Sequence, residues 1–379
     1  MKLELTDQQK MIQKMVREFA DKEVAPIASE LDEKGEYPTK TLEKMAKLGL
    51  LGIIIPNKYG GAGLDTISYS IVVEEISRKC ASTGVITSVH NSLTAWPIMK
   101  YGNEDQKKKY LPILAKGEKI GAFAATEPNA GSDLGALRTS AELKEDKYII
   151  NGDKTFITSG PEAGIIIVFA VTDKKLGTKG ISAFIIESDM KGYKVGSIFE
   201  KLGINASKTS ELIFENMEVP KENLLGKEGE GFKIALATLD GGRIGIASQA
   251  VGIAQAALDE SIEYSKQRQQ FGRPISKFQA IQWMIADMAT KIEASRYLVY
   301  NAAYKKDIGE RISKEAAMAK LFASDTAMDA AIKAVQIHGG YGYTKEYTVE
   351  RLFRDAKITE IYEGTSEVQK MVIASSLLK

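Results

Sequence analysis

The sequence predicts a mainly α-helical protein with a central β-barrel or small sheet, and three observations support this fold class. Apolar residues recur at helical spacing up to about residue 114, short β-rich runs replace them between about residues 120 and 215, and long helical patterns return afterwards. With 379 residues, the chain is also longer than one hydrophobic core usually organises. We therefore expect three domains, over residues 1–120, 121–225 and 226–379.

The first zone is predicted to be helical and to begin at a capped helix. Thr6 and Gln9 fit a capping box. The residues that follow place apolar side chains on one helical face, at Met11, Ile12, Met15, Val16 and Phe19. Further helical patterns run over about residues 41–48, 67–79 and 104–114.

The middle zone carries short runs that are typical of β-strands. They cover Ile120–Thr126, Tyr148–Ile150, Thr155–Thr158, Ile165–Thr172, Ile181–Glu187 and Glu211–Glu215. Asn151-Gly152 lies between two of these runs and predicts a hairpin turn there.

The last zone is predicted to be a bundle of long helices over about residues 230–265, 277–306, 312–337 and 366–377. Of nine prolines, only Pro274 lies beyond residue 220, and it falls between two of these helices.

Composition excludes several function classes. A net charge of +1 gives no overall signal for binding nucleic acid. One cysteine, Cys80, rules out an internal disulfide, and the two histidines, His90 and His338, leave a zinc site with very few ligands, so no metal is expected. The chain shows no secretory signal and no apolar run that could span a bilayer, so we expect a cytoplasmic protein.

Glu363 is the most informative candidate because it lies on a glycine-punctuated turn before the last predicted helix. Gly364 can adopt backbone angles closed to other residues, Thr365 or Ser366 can cap the helix, and Ser366 with Gln369 fits a capping box. A carboxylate beside the unpaired N–H groups of a helix start can take a proton from carbon while those donors stabilise the enolate. The alternative is a surface glutamate in a capped turn.

Leu239-Asp-Gly-Gly-Arg243 is unusual inside a predicted helix, since each of its two glycines costs about 1 kcal/mol relative to alanine. Close approach of a ligand or of another helix would explain them, and Asp240 and Arg243 share one helical face. The alternative is a tight helix crossing with an ordinary surface ion pair.

The loop Ala124–Asp133 follows a strand and concentrates hydroxyls, a proline and a glycine, which suits either a cofactor or an ordinary turn. Ile53–Gly63 resembles a dinucleotide loop but lacks the third glycine and the βαβ context. Gly339–Tyr343 indicates a helix stop that leaves room for a ligand. His90 and Cys80 are interpreted as ordinary core or surface residues rather than catalysts.

Six motifs, in this order, resemble the acyl-CoA dehydrogenases, and the short-chain (butyryl-CoA) members most. They are Thr126-Glu-Pro-Asn-Ala-Gly-Ser-Asp133, Lys154-Thr-Phe-Ile-Thr158, Leu239-Asp-Gly-Gly-Arg-Ile-Gly245, Arg268-Gln-Gln-Phe-Gly-Arg273, Gln336-Ile-His-Gly-Gly-Tyr-Gly342 and Tyr362-Glu-Gly-Thr-Ser-Glu367. The resemblance implies an N-terminal helical domain, a middle β-barrel, a C-terminal four-helix bundle and a homotetramer built as a dimer of dimers.

The resemblance also implies FAD between barrel and bundle. In the middle domain FAD would contact Phe123, Ala125, Thr126, Ser132, Phe156 and Thr158, although many relatives carry tryptophan at the Phe156 position. The same FAD would be held by Thr365 and Glu367, and that of a neighbouring subunit by Arg268, Gln279, Gln336, Gly339 and Gly340. Acyl-CoA would contact Ser132, Asp240, Gly241, Gly242, Arg243, Tyr362 and Gly364.

The implied reaction converts a short-chain acyl-CoA to a trans-2-enoyl-CoA. Glu363 would take the α-proton and flavin N5 the β-hydride, and an electron-transferring flavoprotein would then accept the electrons. Isovaleryl-type relatives carry the base near Gly242 instead, where this chain has no carboxylate.

Three alternatives stay open. Glutaryl-type relatives carry an arginine near His90, and its absence from residues 84–93 disfavours a dicarboxyl substrate. Asn91 leaves a cyclic, cyclohexanecarboxyl-type substrate open. The third alternative is a different function on the same fold. The protein would then be either an acyl-CoA oxidase or a non-catalytic acyl-CoA or flavin-binding protein.

Overall fold

The computed structural model describes residues 4–378, which begin with a group of helices. Thr6 and Gln9 form the predicted capping box. The helices are α1 Asp7–Phe19, α2 Ala28–Lys34, α3 Thr39–Lys47, α4 Thr66–Ser77, α5 Ala81–Ser88, α6 Trp96–Tyr101 and α7 Glu104–Ala115. A π-helical segment, Val89–Ala95, joins α5 to α6. The helical patterns predicted for this zone are therefore confirmed.

The middle of the chain forms a mixed sheet in the order β6-β7-β3-β2-β4-β5-β8, with β1 parallel to β4. Its strands are β1 Ile120–Ala124, β2 Ser140–Lys144, β3 Lys147–Thr158, β4 Ala163–Val171, β5 Ile181–Glu187, β6 Tyr193–Ile198, β7 Thr209–Pro220 and β8 Leu224–Leu225.

This sheet curls strongly. The rings of Tyr148 on β3 and Phe184 on β5 have centroids only 4.9 Å apart. Those strands are three steps apart in the sheet order, which in a flat sheet corresponds to about 14 Å. Between them, β2 and β4 pair only through Ser140 and Val171, which leaves the sheet free to bend there. Within residues 4–378, no strand pairing joins β6 to β8.

The hairpin predicted at Asn151-Gly152 is wrong, because both residues lie inside β3. The ladder shifts register there, and Gly152 has φ 141°, as in a β-bulge. A Cβ on Gly152 would lie 2.7 Å from the Cα of Thr139, so a close approach of two backbones explains the glycine. The turn between β2 and β3 uses Glu145 instead, with φ 55°.

The remaining chain forms a helical group: α8 Gly231–Gln267, α9 Gln279–Asp307, α10 Ser313–His338, α11 Val349–Thr359 and α12 Ser366–Leu377. Pro274 lies in a short hairpin between α8 and α9, formed by β9 Gln269–Gln270 and β10 Arg273–Pro274, as its position predicted. Gly339, with φ 60°, follows the end of α10 and confirms the predicted helix stop. The sequence did not predict α11.

Buried alanines let α8 and α10 pack closely. The buried face of α10 carries alanine at 316, 319, 323, 327, 330 and 334. This face also carries Lys320, a charged residue in an otherwise small and apolar pattern. No helix within residues 4–378 is long and apolar enough to cross a membrane.

Candidate active site around Glu363

Glu363 lies on a strained turn between α11 and α12. Its φ is 52° and that of Gly364 is 93°, so two successive residues adopt left-handed backbone angles. For a residue other than glycine this conformation costs about 1 kcal/mol or more and needs surrounding support. Gln369 supplies support, since its Nε2 donates to the carbonyls of Glu363 (3.2 Å) and Gly364 (2.7 Å).

The helix cap differs in part from the prediction. Thr365 is the N-cap of α12, and its side chain accepts a hydrogen bond from the N–H of Val368. Ser366 is the first helical residue, and its hydroxyl oxygen is buried without a partner among the described residues. The capping box predicted for Ser366 and Gln369 is wrong, because the amide of Gln369 holds the turn instead.

The Glu363 carboxylate is sealed from solvent, although the residue as a whole is partly exposed. Neither carboxylate oxygen has a hydrogen-bond partner within the described part of the chain. Burial raises the pKa of Glu363 to about 8, and the positive charges of Lys320 and Arg243 oppose that rise. Buried carboxylates without partners are rare because they lose hydration without compensation. The surface-residue alternative therefore does not hold.

Gly242 on α8 makes room for this carboxylate. A Cβ on Gly242 would overlap Oε2 of Glu363 and would lie 2.7 Å from Cδ2 of Leu93. A Cβ on Gly241 would lie 2.6 Å from Nζ of Lys306. The sequence predicted the close approach of a ligand or of another helix; at Gly242 the close neighbours are the Glu363 carboxylate, on a turn, and the apolar side chain of Leu93.

Asp240 and Arg243 form a largely buried ion pair rather than the ordinary surface pair of the alternative. Nη1 of Arg243 donates to Oδ1 of Asp240 at 2.6 Å, and Arg243 is only 6% exposed. The other oxygen of Asp240 accepts from the Ser313 hydroxyl at 2.5 Å. Nε of Arg243 is buried without a partner within residues 4–378, which leaves a donor available near Glu363.

Lys320 also belongs to this cluster, and the sequence analysis missed it. Its side chain is completely buried, and its Nζ donates to the Gly364 carbonyl at 2.8 Å. Burial lowers the pKa of Lys320 to about 8, and the negative charge of Glu363 opposes that shift. One signal was present, since Lys320 occupies the same helical face as the buried alanines of α10.

Tyr362 and Asn91 have polar groups that are engaged within the protein. The Tyr362 hydroxyl donates to the side-chain oxygen of Gln249. Asn91 accepts from the N–H of Ile53 and donates to the carbonyls of Leu50 and Thr87. Asn91 therefore does not present a free polar group to an acyl chain.

His90 and Cys80 are buried core residues, whereas the sequence left core and surface positions open. His90 accepts from the N–H of Gly121 at Nδ1, and its Nε2 lies 3.0 Å from the carbonyl oxygen of Leu114. Burial lowers the pKa of His90 to about 4 and raises that of the Cys80 thiol.

Two segments of the middle sheet carry the predicted flavin contacts, and the structure joins them. Phe123 belongs to β1, which Ala125 and Thr126 follow. The Thr126 carbonyl accepts from the N–H of Thr155 on β3, the strand that also contains Thr158. Phe156 on β3 is 63% exposed at φ 57° and stacks on Phe199, with ring centroids 4.8 Å apart. Ser132 is exposed on the loop after β1.

A buried ion pair links these two segments, and the sequence analysis missed it. Lys154 is completely buried and its Nζ lies 2.8 Å from Oε1 of Glu127. The Glu127 carboxylate also accepts from the N–H groups of Arg138 and Thr139. Glu127 lies in the motif Thr126–Asp133 and Lys154 begins the motif Lys154–Thr158, so both positions had already been singled out in the sequence.

The residues predicted to reach a neighbouring FAD lie on the surface: Arg268, Gln279, Gln336, Gly339 and Gly340 are all exposed. Arg268, Gly339 and Gly340 line one pocket of about 440 Å³, together with Tyr264 and His338. Gln279 and Gln336 do not line it. Glu367 is exposed in the first turn of α12, beside the partly buried Thr365.

Comparison with known proteins covers almost the whole chain. Residues 6–118, 122–217 and 229–378 match the N-terminal, middle and C-terminal domains of acyl-CoA dehydrogenases. A short-chain specific acyl-CoA dehydrogenase of Clostridium acetobutylicum is 57% identical over 379 residues, with both chains fully covered.

Among the similar solved structures, two align with this chain over the full length of both chains. Butyryl-CoA dehydrogenase from Megasphaera elsdenii is 50% identical, with a TM-score of 0.98. A chain from a structure described as the electron transferring flavoprotein of Acidaminococcus fermentans is 56% identical, with a TM-score of 0.99. The chain therefore belongs to the acyl-CoA dehydrogenase family.

Proposed function

We propose that this protein is an FAD-dependent acyl-CoA dehydrogenase that oxidises short-chain acyl-CoA thioesters, with Glu363 as its catalytic base. One observation supports the role of Glu363 above all. Its carboxylate is buried, has no hydrogen-bond partner within residues 4–378, and lies against Gly242, where any larger residue would overlap it. A carboxylate held in this way keeps both oxygens free to accept a proton from a substrate.

The raised pKa of Glu363 suits proton abstraction from carbon. A stronger conjugate base removes a weakly acidic α-proton more readily, provided that enough of it is ionised at the working pH. Lys320 and Arg243 keep the pKa of Glu363 from rising further, so part of the carboxylate remains ionised near neutral pH. The Nε of Arg243, which has no partner among the described residues, provides a donor for a polar group of the substrate.

The middle-domain residues fit a flavin. An isoalloxazine ring requires an aromatic or apolar surface with hydrogen-bonding groups at its edge. Phe156 provides an exposed aromatic ring, and the linked segments that contain Thr126 and Thr158 provide hydroxyls and backbone groups. When bound, FAD supplies the acceptor for the hydride that leaves the β-carbon of the substrate.

An apolar acyl group without a distal carboxylate fits the environment of Glu363 best. Leu93 is the side chain that faces Gly242 beside the carboxylate, and Asn91 is occupied by the protein backbone. Residues 84–93 contain no arginine for a distal carboxylate. These features weigh against the cyclic and glutaryl-type alternatives.

One relative indicates the kind of partner, and the family resemblance of the sequence implies the assembly. The Acidaminococcus structure names an electron transferring flavoprotein, and we propose a partner of this kind as the electron acceptor. We also propose a homotetramer, a dimer of dimers, in which Arg268, Gln279, Gln336, Gly339 and Gly340 face a neighbouring subunit's FAD.

The remaining proposals concern domains and compartment. We propose folding units at residues 1–120, 121–225 and 226–379, and closure of the curled middle sheet into a barrel. The contact between Tyr148 and Phe184 supports such closure. The single buried thiol of Cys80 favours a reducing compartment such as the cytoplasm.

The deciding experiment is anaerobic flavin bleaching of the purified protein by butyryl-, octanoyl-, isovaleryl-, glutaryl- and cyclohexanecarboxyl-CoA. We expect prompt bleaching by butyryl-CoA and its loss in Glu363→Gln, which keeps the size of the side chain. Oxygen uptake during turnover would indicate an oxidase instead. Bound FAD without bleaching by any thioester would indicate a binding protein.

A further inference from the structure

We propose that Lys320 is a positioning residue for Glu363, which fixes the turn through the Gly364 carbonyl and acts on the carboxylate through its positive charge. The inference rests on the proposed role of Glu363 as base. It assigns a function to a residue outside the six motifs.

The geometry places Lys320 where it supports the turn that carries Glu363. Its side chain is completely buried on the face of α10 that packs against α8. Its ammonium donates to the carbonyl of Gly364, the residue directly after Glu363. The same carbonyl accepts from Gln369, so two donors hold it while the neighbouring residue remains at φ 52°.

A buried ammonium in an alanine-rich helix face requires a reason, because removing a cation from water is costly. Within the described residues, Lys320 makes one hydrogen bond, to a neutral carbonyl, although an ammonium carries three donors. Nearby negative charge must therefore offset part of the cost of burying the ammonium. Among the charged neighbours of Lys320, Glu363 attracts the ammonium most strongly.

The charges around this pair are few. Glu360 and Asp325 also attract Lys320, and Arg243 on α8 repels it. Glu363 in turn faces Lys320 from α10 and Arg243 from α8. Two neutral phenols, Tyr69 on α4 and Tyr362 on the turn, have pKa values raised by burial, and both are also close enough for the charge of Glu363 to raise their pKa values further.

Removing the charge of Lys320 therefore has a defined electrostatic consequence. Arg243 is bonded to Asp240, whose negative charge offsets much of its field. Without Lys320, the ionised form of Glu363 loses its largest favourable charge interaction, and the pKa of Glu363 rises. A role that was only structural would slow the reaction by the same factor at every pH.

The test compares Lys320→Met with wild type in the FAD-loaded protein. We expect the pH midpoint of substrate-dependent bleaching to move up by about one pH unit, the lower end of the range for a nearby opposite charge. The rate constant should fall about tenfold or more at pH 7 and should recover towards the wild-type plateau at high pH. Lys333→Met on the same helix is the matched control, since Lys333 pairs with Asp287 and Asp329, and its midpoint should not move.

A second readout does not depend on turnover. The infrared band of the protonated Glu363 carboxyl, identified by its loss in Glu363→Gln, is titrated in wild type and in Lys320→Met. A higher midpoint in the lysine variant supports the proposal, and an unchanged midpoint in a folded variant overturns it. If Lys320→Met does not fold, Lys320→Gln serves the same test. Bleaching that survives in Glu363→Gln would instead refute the base assignment, whereas the infrared titration still decides whether Lys320 acts on Glu363.

Discussion

Ionisation of Glu363 should control the reaction rate across neutral pH. Burial raises its pKa from 4.5 to about 8, even though Lys320 and Arg243 oppose that shift. Only the ionised carboxylate can take a proton, so about one molecule in ten is competent at pH 7 and about one in a hundred at pH 6. We expect the second-order rate constant of flavin bleaching to rise about tenfold per pH unit up to about pH 8 and to level off above it.

The assay is anaerobic stopped-flow mixing with butyryl-CoA well below saturation, between about pH 6 and 9.5. This regime reports ionisation of the free enzyme. Glu363→Gln, measured at each pH, provides the baseline without a base. A rate constant that stays flat across this range would refute the reasoning, because it would place the pKa of Glu363 near that of an exposed glutamate.

The same ionisation affects folding, and Glu363→Gln isolates that effect. The folded-state pKa lies above the unfolded one, so the folded chain holds more protons between about pH 4.5 and 8, and its stability falls as the pH rises through that window. The difference between 4.5 and about 8 corresponds to about 5 kcal/mol, at about 1.36 kcal/mol per pKa unit. The thermal midpoint of the apoprotein should therefore be higher for Glu363→Gln than for wild type above about pH 8, and similar below about pH 4.5. Equal midpoints at the alkaline end would contradict a buried charge.

Three substitutions test other parts of the site. Gly242→Ala should displace the Glu363 carboxylate and reduce the bleaching rate about 100-fold or more, as expected for misplacement by about 1 Å. Gly241→Ala should lose far less, because within residues 4–378 its Cβ meets the flexible tip of Lys306, and equal losses would contradict the steric argument. Lys154→Met should lower the free energy of unfolding by about 3–5 kcal/mol, because it leaves the buried Glu127 without its counter-ion. Adding Glu127→Gln should recover part of that loss. A strictly additive double variant would show that the pair is not coupled. Thr365→Ala should cost about 1 kcal/mol through the lost helix cap, measured by thermal unfolding, whereas Thr365→Ser should cost much less.

Periodic features of this chain could be predicted from sequence, whereas single exceptions to the pattern could not. The helix of residues 366–377 and the cap at Thr6 follow from local spacing and chemistry, and both are observed. Gly152 was misassigned because a glycine in a turn and a glycine in a bulge look alike until the partner strand is known. Gln369 fitted a capping box by spacing, but its amide holds a turn that only the folded backbone defines.

Lys320 and the pair of Glu127 and Lys154 were missed for a related reason. Each is a charged residue whose surroundings are assembled from distant parts of the chain: Lys320 contacts a carbonyl 44 residues away, and Lys154 pairs with a carboxylate 27 residues away. Spacing along one element reveals that such a residue lies on a buried face, but not which partner compensates its charge. A charged residue inside an apolar pattern is therefore a candidate functional residue even where its partner cannot be named from the spacing.

Two features that break general rules of folding lie where chemistry is proposed. Glu363 combines a left-handed backbone with two buried carboxylate oxygens that lack partners among the described residues, and Phe156 combines a left-handed backbone with an exposed aromatic ring. Each feature alone destabilises the folded chain, and none improves the packing of a core. A fold that served only stability would replace Glu363 by an apolar residue and Phe156 by glycine. At Glu363, the side chains of Gln369 and Lys320 hold the turn by specific hydrogen bonds, so the structure around it maintains the strain. This coincidence of strain with dedicated support favours an active enzyme over a protein that retains the fold only for binding.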